Sequence, residues 1–153
     1  MSTPTIVSGV EGALSLQGRD LGWTPYLEVT QEQVNLFADA TGDHQWIHVD
    51  PERAATGPFK QTIAHGYLTL SLTPVFLPQL VQIEGFSMGV NYGTDKVRFP
   101  SPVPVGSKLR CGGKVDSVTE IPGGVQMTVT LTFEVEGQAK PSCVATILLR
   151  QYV

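Results

Sequence analysis

Charge is scarce in this chain. Asp, Glu, Lys and Arg make up 16% of its 153 residues, with 14 acids against 10 bases and a formal charge of −4. There is no basic run, so the phosphate-neutralising surface that nucleic acid requires is missing. Few charges on a small domain leave much weakly polar surface, which suits a chain that hides part of it against a second copy. Long hydrophobic runs are missing too. No segment reaches the ~20 apolar residues of a membrane span, and the first residues lack the basic region and apolar core of a secretory signal. Cysteine is rare. Cys111 and Cys143 fall in separate strand-like runs, and without an export signal they read as reduced thiols of a cytoplasmic protein. With no internal repeat or low-complexity segment, residues 1–153 read as one domain. A chain of this length buries roughly 70% of its unfolded surface without staples.

The chemistry-bearing residues are concentrated between Phe37 and Leu72. All three histidines, His44, His48 and His65, lie there with Asp39, Asp43, Asp50 and Glu52. Upstream, Ser8 to Leu16 suits a short helix broken by Gly18, and Trp23 to Val29 is extended. Thr30 and Gln33 form a capping box. Behind it Val34, Phe37, Ala38 and Thr41 share one helix face. Gly42 suits the left-handed position that ends the helix. Asp43 to His48 then reads as a loop, because five residues of continuous helix would set the two about 140° apart. Asp50-Pro51 starts a second, short helix that ends at Gly57-Pro58.

Residues 63–83 are apolar nearly all round and predict a buried central helix, kinked or restarted at Pro74 and Pro78. From Phe86 onward the pattern is β. Strands are expected over 86–92, 96–99, 108–119, 125–136 and 142–152, with a bulge at Gly112-Gly113 and a hairpin at Pro122-Gly123-Gly124. Val125, Met127, Val129, Leu131, Phe133 and Val135 alternate with polar residues, the mark of a half-buried strand. Helices first and strands after argue an α+β fold, an antiparallel meander packed on one central helix.

Four groups of residues carry candidate chemistry. Asp43 and His48 pair a carboxylate with an imidazole, which can activate a water and shuttle its proton; a capping Asp beside an unrelated surface His is the alternative. His44 and His48 with a carboxylate have a zinc-usable step, but no third ligand has typical spacing, and no metal is expected. His65-Gly66 opens the buried helix, where free N–H groups and the helix dipole favour a developing oxyanion and Gly allows close approach. A packing glycine and a helix-entry histidine would look the same. Lys96 and Arg98, two apart on one strand face, can meet phosphates or form a solvated face.

Gly42-Asp43, His48, Asp50-Pro51 and Ile63-Ala64-His65-Gly66 before an apolar helix resemble the hydratase-2 motif of the MaoC-like dehydratases, which include the (R)-specific enoyl-CoA hydratases. The surrounding text, with Asn91-Tyr92-Gly93 and Lys96 to Pro100, is similar to the nodulation protein N-like branch. The resemblance implies a hot-dog fold, a long helix wrapped by an antiparallel sheet, and a homodimer. It implies reversible syn-hydration of trans-2-enoyl-CoA to (R)-3-hydroxyacyl-CoA, with no cofactor beyond the acyl-CoA substrate. By motif position Asp43 and His48 are the dyad, and Gly66 gives its N–H to the thioester oxygen. The family's usual Asn-Pro between acid and histidine is Gln45-Trp46 here, which places a bulky group where it is expected to reshape the pocket wall. Pro74 stands where other members have small polar residues. A hot-dog thioesterase and a non-catalytic acyl-CoA-binding protein are the alternatives.

Overall fold

The computed structural model describes residues 3–153. Strand β1 (Thr5–Ser8) leads into helix α1 (Gly9–Leu14), and short strands β2 (Asp20–Trp23) and β3 (Leu27–Glu28) follow. Helix α2 (Gln31–Thr41) begins at the capping box, with Thr30 and Gln33 bonded reciprocally, and stops at Gly42 in the left-handed conformation (φ 86°). Two single-turn helices, α3 (Trp46–Val49) and α4 (Pro51–Ala55), carry the chain to the central helices α5 (Gly66–Ser71) and α6 (Thr73–Leu80). Strand β4 (Val81–Glu84) pairs in parallel with β1. The rest is β5 (Met88–Arg98), β6 (Lys108–Ile121), β7 (Gly124–Val135) and β8 (Cys143–Tyr152).

The main sheet runs β2-β6-β7-β8-β5, with β3 beside β6, and every pairing in it is antiparallel. It curls round α5 and α6. The alternating face of β7 is the core: Val125, Met127, Val129, Leu131 and Phe133 are fully buried. Phe76 and Leu80 of α6 pack on it, and the Phe76 and Phe133 rings meet edge to face at 6.0 Å. The α+β wrapped-sheet arrangement is therefore the one expected.

Several local expectations are corrected. The apolar stretch over 63–83 is not one helix. Ile63 and Ala64 are extended and bond to Ile47 and Val103. The restart expected at Pro74 is present, since Leu72 breaks α5 from α6 and Pro74, lacking an N–H, stands at the N-terminus of the new helix, whereas α6 runs on past Pro78 without restarting. Residues 81–84 leave the helix because β1 offers them a ladder. One side of the pair is also open, with Tyr67 73% and Val75 45% exposed. The two strands expected over 86–99 are one strand, β5, with irregularities at Asn91/Gly93 and Thr94/Lys96. β5 lies at the far edge beside β8, so the sheet is not a simple meander. Against β7 the irregularity of β6 falls between Val115 and Ser117; a second lies at Gly113 and Lys114 against β2, but there the extra residue belongs to β2, between Asp20 and Gly22. Gly112 is instead covered by the Trp23 ring, whose atoms lie 2.7 Å from where a Cβ would stand. Among the described residues no helix is long and apolar enough to cross a membrane.

Candidate active site

The left-handed stop at Gly42 turns the chain so that α3 doubles back along α2 toward its first residue, Gln31. Asp43 opens the turn and its Oδ1 accepts from the Gln45 N–H (3.3 Å). One turn later His48 points inward. Gln31 at the start of α2 ties the two segments together: its Nε2 donates to the His48 carbonyl (2.8 Å), and its Oε1 accepts from the Thr62 hydroxyl (2.7 Å).

His48 is buried, and its Nδ1 lies 2.7 Å from the Ile63 carbonyl. A carbonyl only accepts, so Nδ1 carries the proton and Nε2 holds a lone pair in the neutral ring. That Nε2 faces Asp43 Oδ2 at 4.0 Å. Burial, the largest influence, pushes the imidazole below its ordinary range; the Ile63 bond opposes this, His65 adds to it and the Asp43 charge opposes it. The result is a neutral base with its free nitrogen aimed at a carboxylate that is half exposed.

His65 lies behind His48. The two rings stack at 3.9 Å and 23°, and the Phe37 ring is tilted against His65 at 4.9 Å. Nε2 of His65 donates to the Asp43 carbonyl (3.0 Å), while Nδ1 is buried with no hydrogen-bond partner among the described residues. Asp43, His48 and His65 thus gather three ligand-type atoms within 4.8 Å. The stack makes them poor joint ligands. An imidazole binds a metal in its own ring plane, and two planes so close to parallel meet well beyond bonding distance.

A cavity of about 290 Å³ opens beside this cluster. His48, Phe59, Ile63, Gly66, Thr69, Phe99, Val103 and Ser142 are among the residues that line it. Gly66 is the first residue of α5, and an added Cβ would sit 3.1 Å from the Phe99 ring. Trp46 does not line this cavity, contrary to the sequence expectation. Its ring lies against Gly57 and under the Arg53 guanidinium (4.5 Å), where it braces α3 against the end of α4. A second cavity, of about 350 Å³, runs between α5/α6 and β5/β8, with Leu70, Pro74, Thr94 and Leu148 in its wall.

The other sequence candidates lie elsewhere. His44 is exposed and bonds Asp39 at 3.0 Å; that bond, ahead of all other influences, pushes its pKa up. Lys96 and Arg98 are exposed on β5, on the face opposite Val97, which packs on the core. Cys111 and Cys143 are free and buried, and burial pushes their thiols up to about 12 and about 11, so neither is a nucleophile. Sequence reasoning missed Phe59, Phe99, Ser142 and the Ile63 carbonyl. Each phenylalanine adjoins a loop proline, a faint signal of an ordered aromatic; a backbone carbonyl and a strand-entry serine leave none.

Residues 14–136 match the family model described as a MaoC-like domain. The chain belongs to the MaoC-like family. Among its MaoC-like relatives, 3-hydroxyacyl-thioester dehydratase Z of Mycobacterium tuberculosis is 55% identical over 134 residues, 87% of this chain and 89% of that protein. Nodulation protein N of Rhizobium leguminosarum bv. viciae is 46% identical over 132 residues, 84% and 81% of the two chains. Among solved structures, the monoamine oxidase regulatory protein of Archaeoglobus fulgidus superposes with a TM-score of 0.79 at 21% identity, covering 99% of each chain. The (R)-hydratase of A. caviae gives 0.67 at 23% identity, covering 87% of this chain and 94% of the other. At those identities the likeness concerns the fold, and the MaoC-like chain has the hot-dog architecture.

Proposed function

We propose that this chain catalyses the reversible, (R)-specific syn-hydration of a trans-2-enoyl-CoA to an (R)-3-hydroxyacyl-CoA. It is a hydro-lyase, as the dehydratase relative at 55% identity and the Asp43–His48–His65 cluster support. The finer reading is carried by one observation: the bare Nε2 of a buried, neutral His48 facing Asp43 at 4.0 Å on a cavity that also holds Gly66. That separation is too long for a direct hydrogen bond. It fits one water bonded to both groups through legs of about 2.8 Å. Both acceptors take a hydrogen from that water, which leaves an oxygen lone pair free for C3. As the C–O bond forms, the dyad takes a proton from the water, charge builds on the thioester oxygen, and the dyad returns a proton to C2. The Gly66 N–H at the start of α5, which the His65-Gly66 step presents, stabilises that oxygen. No added metal or cofactor enters this scheme, so a chelator should leave the rate unchanged.

The substrate's CoA phosphates are assigned to Lys96 and Arg98, exposed cations on an otherwise acidic chain. A homodimer is part of the same reading. β5 is an unpaired edge along which ten of eleven residues are exposed, Met88, Val90 and Tyr92 among them, and such an edge is a template for a second copy. The test is to follow loss of enoyl-thioester absorbance and release of free thiol together on a crotonyl-to-dodecenoyl CoA panel. Hydration without thiol release supports the hydratase. Thiol release at a matching rate would assign a thioesterase, and saturable binding with neither activity would assign an acyl-CoA-binding protein. Sedimentation as a monomer at micromolar concentration would remove the dimer.

A further inference from the structure

Ser142 lies at the entry to β8 and is 2% exposed. Its backbone N–H is given to the Phe133 carbonyl (2.8 Å), but its hydroxyl is buried with no hydrogen-bond partner among the described residues. A serine hydroxyl can donate one hydrogen bond and accept two, and burying it unpaired is destabilising. Packing alone would be better served there by alanine. Ser101, on the same cavity wall, shows the contrast. Its hydroxyl lies within 3.3 Å of Gln138 Oε1 and of the Lys140 and Pro141 carbonyls, and is occupied in fixing the loop before β8. Ser142 has no such duty, and it lines the cavity that His48 and Gly66 line. An unpaired buried polar group on a cavity wall is completed by what enters the cavity.

We infer that Ser142 is a substrate-binding residue whose hydroxyl donates a hydrogen bond to a carbonyl oxygen of the bound acyl thioester. The inference rests on the reading of the His48 cavity as the acyl-thioester site. Two kinds of carbonyl on the substrate suit this donor: the thioester itself and the amides of the pantetheine arm. At the thioester the bond tightens as charge builds, so its loss also lowers kcat; at an amide it is uniform, so its loss raises KM alone.

The test uses Ser142→Ala and Ser142→Cys, which both remove the strong donor, the first without adding volume and the second with a larger atom that is only a weak donor. Binding of butyryl-CoA, a saturated thioester that cannot be hydrated, is measured by calorimetry, and crotonyl-CoA turnover and thermal midpoints are measured alongside. Binding should weaken about tenfold in both variants while the thermal midpoint holds or rises. An added fall in kcat assigns the thioester oxygen; a rise in KM alone assigns an amide. Wild-type binding in both variants overturns the inference, as does weaker binding with a lowered midpoint in both, which marks a packing role. The binding arm needs no turnover. A wild-type protein that binds butyryl-CoA and hydrates nothing defeats the hydratase reading and leaves Ser142 judged on binding; failure of the wild type to bind defeats both.

Discussion

The chain contains two Asp-x₄-His pairs, overlapping in sequence and opposite in character. Asp39 and His44 meet at 3.0 Å, both exposed. Asp43 and His48 stand 4.0 Å apart with the histidine buried. The first is the better ion pair and the poorer site. Its carboxylate pushes the imidazole pKa up, and water screens what remains. In the second, burial pushes the imidazole down, a backbone carbonyl selects its tautomer, and the gap fits one water. Identical spacing thus yields a surface pair or the proposed dyad according to what surrounds the histidine.

Substitution should separate the pairs most sharply in rate. Asp43→Asn and His48→Asn should each lower kcat about 10²–10⁴-fold, the usual loss of general acid–base help. That is roughly 3–5 kcal/mol of barrier, with KM little changed. Asp39→Asn and His44→Ala should stay within about twofold, since their pair is solvent-screened. Steady-state kinetics on crotonyl-CoA checks this; equal losses in the two pairs would erase the distinction.

Support comes next. His65→Phe keeps a ring against His48 and Phe37 but loses the hydrogen bond to the Asp43 carbonyl. Because a small misplacement of a reacting group costs up to about 10², kcat should fall about 10–100-fold without a lower thermal midpoint. Full activity in a folded variant would show that Asp43 needs no such anchor.

The smallest effect is in titration. Following the imidazole resonances by NMR, His48 should titrate below its ordinary value of 6.5 and His44 above it. For His48 the folded pKa is the lower, so its contribution to stability is present above 6.5 and is lost as pH falls through the folded value. For His44 the sign reverses: its contribution is present below 6.5 and lost as pH rises through the folded value. His48→Asn should therefore flatten the acid limb of the stability profile. A midpoint of His48 above that of His44 would reverse the assignment.

Much of this was legible in advance where local chemistry decides the backbone. Thr30 with Gln33, Gly42, Asp50-Pro51 and the alternation of Val125 to Val135 each act through neighbours a few residues away. The end of the central helix is not written locally, because it depends on β1, some 75 residues upstream in the chain. The continuity of the strand over residues 88–98 is likewise not local, because its pairing with β8 carries it through two irregularities. At the site, the turn that joins Asp43 to His48 could be foreseen from Gly42. The His48 tautomer could not, since a carbonyl 15 residues away sets it, and Trp46 was misplaced because Gly57 leaves room for its ring outside the cavity.

The central claim is that Asp43 and His48 act as a unit on one water. It is tested most directly by the hydration rates of Asp43→Asn, His48→Asn and the double variant, each confirmed folded by circular dichroism. Residues that act together are not additive, so the double variant should be scarcely slower than the slower single one. Losses that multiply would mean the two groups work independently, and a near-normal rate in Asp43→Asn would mean this pair is not the catalytic one.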